Sequence, residues 1–250
     1  YVCTYADGLQ TVVTLLVLPK VYALSYAAAP VAGGSIGGPD SVQMGETATV
    51  TVTPNPGYSV ASVTVSNGTV SAAAPYVLSG VTVDTVVTAT FTANANPVTY
   101  TAAPSAGGSV TGPATVTTGE TATVTVSANP GYTLASVTAS NGTVSAAAPY
   151  VLSGVTGDTV VTATFTANAN PVTYTAAPSA GGSVTGPATV TTGETATVTV
   201  TPNPGYTLAS VTAGNGTVSA AAPYVLSGVT VDTVVTATFT ADANPVTYTA

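Results

Sequence analysis

Residues 85–93 read TVVTATFTA. In an extended chain successive side chains point to opposite faces. Val87, Ala89, Phe91 and Ala93 therefore share one face, and Thr88, Thr90 and Thr92 share the other. The stretch reads as a half-buried strand with an apolar side and a hydroxyl side. The same nine letters return at 159–167 and 233–241. A strand repeated at a fixed interval points to a tandem all-β array, and the rest of the sequence agrees.

The interval is 74 residues. GETATVTV begins at Gly45, Gly119 and Gly193, and APYVLSGVT at Ala74, Ala148 and Ala222. The period divides the chain into full repeats at 24–97, 98–171 and 172–245. Residues 1–23 read as the C-terminal strands of a diverged partial repeat, and 246–250 as the first strand of a further one. The second and third copies differ only at Ser127/Thr201, Ala128/Pro202, Ser140/Gly214, Gly157/Val231 and Asn168/Asp242. Near-identical units in series serve length and reach most directly.

Inside one unit, Ala48, Val50 and Val52 alternate with Thr49, Thr51 and Thr53, which predicts a second amphipathic strand. PNPGY at 54–58 and Gly33-Gly34 read as turns. Asn67-Gly68 between two strand-like runs predicts a β-hairpin, since both residues tolerate positive φ. About seven short strands per unit suit a small Ig-like β-sandwich with no significant helix. Tyr58, Tyr76 and Phe91, with their copies, are expected to fill a core otherwise made of Val and Ala. The junction TANANP has no Gly/Ser tether, and Pro97 stiffens it, so restricted hinges are expected between repeats.

Composition excludes most chemistry. Charged residues make up 4 % of the chain, against about 25 % in an ordinary domain. There is no His and a single basic residue, Lys20, so imidazole ligands and arginine-type phosphate grips are lacking. A net charge of −8 repels nucleic acid. The lone Cys3 can form neither an intrachain disulfide nor a thiolate zinc site. No catalytic residue, metal ligand or cofactor site is assigned, because no nucleophile–base pair can be assembled. With so few titratable groups, salt and pH should matter little, and trypsin-like proteases have one site. That composition suits persistence outside a cell.

The ordered motifs GGSV, GET…TVTV, PNPGY, ASVT and VT-x-DT-x-VTATF, repeated along nearly the whole chain, resemble the divergent B-repeat of internalin-type bacterial surface proteins. The resemblance implies an extracellular, non-catalytic stalk or adhesive segment. Some relatives carry a tryptophan after the PGY strand, and this chain has none. Others carry a Cys pair where this chain has Ser66/Thr85, Ser140/Thr159 and Gly214/Thr233, so that crosslink is absent. Better-known relatives have a β-grasp-like fold with a helix, which nothing in this sequence matches. Isopeptide crosslinking would need a Lys in every unit.

Three kinds of site remain as expectations. Asn67, Asn141 and Asn215 each begin an Asn-Gly-Thr glycosylation pattern, against the plainer reading as turn residues. Glu46 and Asp84, with their copies, are too scattered for calcium, which wants clustered carboxylates. Thr-x-Thr-x-Thr tracts fit a carbohydrate- or ice-binding array, though short tracts on a twisted sandwich fit it poorly. The third site is the N-terminal stretch TVVTLLVL (11–18), which overlies TVVTATFT at 85–92. Its Thr face has turned apolar: Val13, Leu15 and Val17 keep the inward pattern, while Leu16 and Leu18 replace threonines. It is too short to span a bilayer as a helix and lacks the flanks of a signal peptide. A strand apolar on both faces expects cover on both. Val13, Leu15, Leu16, Val17 and Leu18, together with Val246 and Tyr248, are thus the candidate assembly contact.

Two structural functions follow. In the first, the chain is a subunit of a surface fibre built head-to-tail by strand addition, its partners being copies of itself and cell-surface or matrix components. In the second, it is a rigid stalk segment of a longer adhesin. Neither involves nucleic acid or a membrane span in this chain.

Overall fold

A computed structural model describes residues 18–243, together with the backbone of 2–4 and 10–12. The chain divides into two compact units, Tyr1–Asn96 with Thr117–Gly119, and Pro97–Val116 with Glu120–Ala250. The third repeat lies wholly in the second unit and serves as the reference. Its strands are β1 Ala169–Ala177, β2 Gly182–Thr185, β3 Thr189–Thr191, β4 Ala196–Pro202, β5 Tyr206–Ala213, β6 Thr217–Val218, β7 Tyr224–Ser227 and β8 Thr233–Ala241. One turn of 3₁₀ helix at Ser179–Gly181 joins β1 to β2. The unit is thus all-β, with eight strands where about seven were expected.

The strands form two four-stranded sheets, ordered β3-β1-β8-β5 and β2-β4-β7-β6. All pairings are antiparallel except that of β1 with β8, which is parallel and matches Val172 to Thr233 and Ala177 to Thr238. The first and last strands of a repeat therefore run side by side in the same direction. Both sheets turn their apolar faces to one core: Val172, Val235 and Phe239 from the first, Val184, Val198 and Leu226 from the second. This is the β-sandwich that the alternation in TVVTATFTA predicts. Val235, Ala237 and Phe239 are buried, while Thr238 and Thr240 are exposed.

The core differs in one respect from the sequence reading. Phe239 is buried as expected, but Tyr206 and Tyr224 are only half-buried at its margin. The largest side chain with no exposure is Leu226, and its equivalents Leu152 and Leu78 are likewise at 0 %. Gly181 and Gly182 explain the conserved spacing of the Gly-Gly pair. Their backbone lies against Phe239, and a Cβ on Gly181 would stand 2.5 Å from the Phe239 Cβ. The pair is a close-approach device more than a free turn.

PNPGY is a turn, as read. In the third repeat Tyr206 N–H donates to Asn203 O at 3.1 Å, with Gly205 at φ +84°. Pro at the second position and a positive-φ Gly at the third are the requirements of a type II turn. Asn-Gly is not a hairpin. The strands flanking Asn215-Gly216, β5 and β6, belong to opposite sheets and do not pair. The dipeptide carries the chain from one sheet to the other. Asn215 Oδ1 accepts the Thr230 N–H at 2.8 Å, and Gly216 sits at φ +83° with no room for a Cβ beneath the Ser227 carbonyl. A local signal for positive φ was correct, but the longer-range pairing overrode its usual context.

Tyr174 bridges the two ends of the β1–β3 region by donating its hydroxyl to Pro187 O at 2.9 Å. Tyr100 and Tyr26 do the same to Pro113 O and Pro39 O. Burial pushes all three phenols above their ordinary value, and the Asp40 charge adds to the effect at Tyr26. The folded protein thus holds these protons more tightly than the unfolded chain does. Their stabilisation is complete below the unfolded phenol value of about 10 and is lost as pH rises through the raised folded values. Denaturant midpoints should stay level from pH 6 to 9 and fall above pH 10. Tyr26→Phe, Tyr100→Phe and Tyr174→Phe combined should flatten that alkaline fall.

Candidate functional site: the repeat junction

Within the second unit a single residue, Asn168, separates the last strand of the second repeat, Thr159–Ala167, from β1 of the third. Its backbone is held on both sides. Asn168 N–H donates to Gly131 O at 2.8 Å, and Asn168 O accepts the Thr192 N–H at 2.9 Å. Asn168 Oδ1 also accepts from Thr133 Oγ1 at 3.2 Å. The PGY turn of one repeat is therefore tied, through the connecting residue, to the TTGE turn of the next.

Side chains close the contact. Asn170 is buried and donates from Nδ2 to Thr192 Oγ1 at 3.0 Å, with further contacts to the carbonyls of Asn168, Val190 and Val229. Thr192 lies directly over Gly131, which sits at φ +83°, and a Cβ at Gly131 would collide with the Thr192 side chain. Buried polar groups of this kind are stabilising only when satisfied, and Asn170 is. The first unit contains the same arrangement: Asn94 N–H to Gly57 O, Thr118 N–H to Asn94 O, and Asn96 Nδ2 to Thr118 Oγ1. Sequence reading took TANANP as a short, stiff linker and missed the role of Asn96 and Asn170. The signal was present: Asn96, Val98 and Tyr100 share the inward register of one strand.

At the start of the first repeat the pattern changes. Tyr22 and Met44 stand where Asn96/Asn170 and Thr118/Thr192 stand later. The backbone bond survives, Met44 N–H to Lys20 O at 2.9 Å. The polar pair does not: Tyr22 is buried beneath the Lys20 ammonium, 5.2 Å from its ring centre, and Met44 is exposed.

The expected site residues fall elsewhere. Of the assembly-contact set, Leu18 is 75 % exposed. Val13, Leu15, Leu16, Val17, Val246 and Tyr248 lie outside the described residues. The backbone of Val2–Thr4 pairs antiparallel with Gln10–Val12, whereas the counterpart strands Tyr76–Ser79 and Thr85–Ala93 lie in opposite sheets. Asn67, Asn141 and Asn215 each use Oδ1 to accept a backbone N–H from the loop ahead of the last strand. Asp84 accepts the Ala23 N–H. Among the described residues no three Asp, Glu, His or Cys side chains cluster as metal ligands would. Where relatives carry the Cys pair, Ser66 and Ser140 accept the N–H of Val86 and Val160. Gly214 has no hydroxyl to offer the equivalent Val234 N–H, and in that repeat Thr233 Oγ1 accepts the Asn215 N–H.

A charge-poor β-sandwich, repeated in tandem and joined through hydrogen-bonded turns, defines a tandem all-β repeat protein. The model of the divergent InlB B-repeat domain matches residues 24–95, 98–169 and 172–243. The chain belongs to that family, which is typically surface-associated. Neither the curated proteins nor the solved structures contain a match to it. No helix among the described residues is long and apolar enough to cross a membrane.

Proposed function

We propose that this chain is a non-catalytic extracellular spacer, a stalk segment that sets distance between what lies at its two ends. The junction supports this reading most directly. A flexible string needs no buried Asn–Thr pair between repeats, and the Gly131–Thr192 contact restricts the turn where bending would occur. Family membership supports a surface location, and the single Lys20 leaves trypsin-like proteases one target.

The test is how length scales with repeat number. Chains with one, two or three additional copies of residues 98–171 would be compared by small-angle X-ray scattering. A spacer lengthens by a constant increment, roughly 30–40 Å per repeat from strands of this size. Growth with the square root of repeat number, as for flexible tethers, would reject the reading.

A further inference from the structure

β5 is the only long strand at a sheet edge in the third repeat. Among the described residues it pairs with β8 on one side and with nothing on the other, while the remaining edge strands are two to four residues long. An unpaired edge presents backbone N–H and C=O groups to any extended segment that reaches it. Natural edges are usually guarded by charge or proline. Tyr206–Ala213, YTLASVTA, has neither. Its one irregularity is a bulge between Leu208 and Ser210, which leaves Ala209 without a partner on β8.

Beside that bulge the two sheets part. A groove of about 340 Å³ opens there, lined by Leu208, Ala209, Ser210, Val211, Ala220 and the Tyr224 ring. The second repeat forms the same groove, about 410 Å³, from Leu134 to Val137 with Ala146 and Tyr150. Ser219 fixes the far wall: its Oγ accepts the Val225 N–H and donates to the Pro223 carbonyl. Leu208, Val211 and Ala220 give it apolar contacts, while most of its exposed surface is polar.

This chemistry selects its occupant. No lining residue is charged, so anions and nucleic acid have nothing to pair with. None is an acid or amide, so a sugar would lack its usual polar partners. A β-strand needs only the backbone edge for hydrogen bonds, with Leu208, Val211 and Ala220 to receive its alternate side chains. The chain itself contains one segment of that character, Val13–Leu18, VTLLVL. It is uncharged and apolar on both faces of its alternation. Leu18 at its end is exposed.

We propose that the β5 edge and its groove form an acceptor site for Val13–Leu18 of a second copy, added as a ninth strand. Donor and acceptor are different surfaces, so each copy can give to one neighbour and receive from another. Such heterologous contacts propagate into open chains unless the rotation closes them. This inference is independent of the spacer reading, which concerns stiffness within one chain.

The test uses the full chain in sedimentation velocity from low to high micromolar concentration. Association that grows with concentration is expected. Leu16→Asp should disable the donor, weakening association at least ten-fold. Ala61→Lys, Ala135→Lys and Ala209→Lys together should disable the acceptors to a similar degree. All three alanines are exposed, and circular dichroism would confirm that the variants stay folded. Mixing the two variants should restore pairing, because each retains the half the other lacks. A wild-type chain that stays monomeric throughout, or association untouched by either variant, overturns the proposal. Failure of the mixture to pair would overturn the donor–acceptor assignment.

Discussion

Leu226→Ala is expected to lower the stability of the third repeat by about 2–5 kcal/mol. Leu226 is 0 % exposed and sits where both sheets meet, against Val198, Val235 and Phe239. Removing its branched end forfeits transfer free energy and leaves a cavity that rigid sheets close poorly. A domain of this size has of order 4–10 kcal/mol in total, so the repeat would be brought near unfolding. The loss should be local, because stability in a tandem array is a sum of unit and interface terms. Hydrogen exchange is the discriminating measurement. Amides of Ala196–Pro202 and Tyr224–Ser227 should lose protection, while those of Ala122–Ala128 in the second repeat keep it. Equal loss in both repeats would mean that the array unfolds as one cooperative body.

Gly131→Ala should be the most damaging change at a junction, by about 2–5 kcal/mol, from two additive causes. An L-residue at φ +83° costs about 1–2 kcal/mol in backbone strain alone. The new methyl group must also displace Thr192, an overpacking cost of about 1–3 kcal/mol. Gly205→Ala separates the two. Gly205 has the same turn and φ +84°, yet nothing lies within 4 Å of where its Cβ would be. It should therefore show the strain term only. Adding Thr192→Ala to Gly131→Ala should recover part of the loss, although it also removes the acceptor of the Asn170 amide. Chemical denaturation of the wild type, Gly131→Ala, Thr192→Ala and the double variant closes this cycle, with Gly205→Ala measured beside it. If Gly131→Ala and Gly205→Ala prove equally costly, the junction contact contributes nothing measurable. The spacer reading would then lose its main support.

Much of the fold is visible in single strands. TVVTATFTA and GETATVTV name their buried faces by alternation, and burial follows that alternation except at Ala241, which is exposed. PNPGY names its turn because Pro and a positive-φ Gly have few other uses together. Partner choice was less legible. Asn215-Gly216 has the local chemistry of a hairpin, yet the chain crosses there between sheets, since β5 finds β8 and β6 finds β7. Nothing within those few residues encodes partners that lie from 8 positions (Val218 and Leu226) to 35 positions (Tyr206 and Ala241) apart. Likewise Ser140→Gly214 looks neutral in sequence, and only the structure shows that Ser140 Oγ accepts the Val160 N–H, a bond that Gly214 cannot make.

The sequence by itself determined the all-β class, the 74-residue period, the amphipathic faces and the poverty of chemistry. Each follows from properties carried by a residue or its near neighbours: β-branching, alternation, missing His and Arg, and exact recurrence. Tertiary structure alone decided which strands pair, that the first and last strands of a repeat run parallel, and that Asn170, Thr192 and Gly131 meet at the junction. It also decided where a repeat begins in space, since β1 starts at Ala169, ahead of any boundary that a period could mark. A period fixes length but not phase. Phase, pairing and contact depend on backbone hydrogen bonds between segments far apart in the chain, and those bonds read geometry, not side-chain identity.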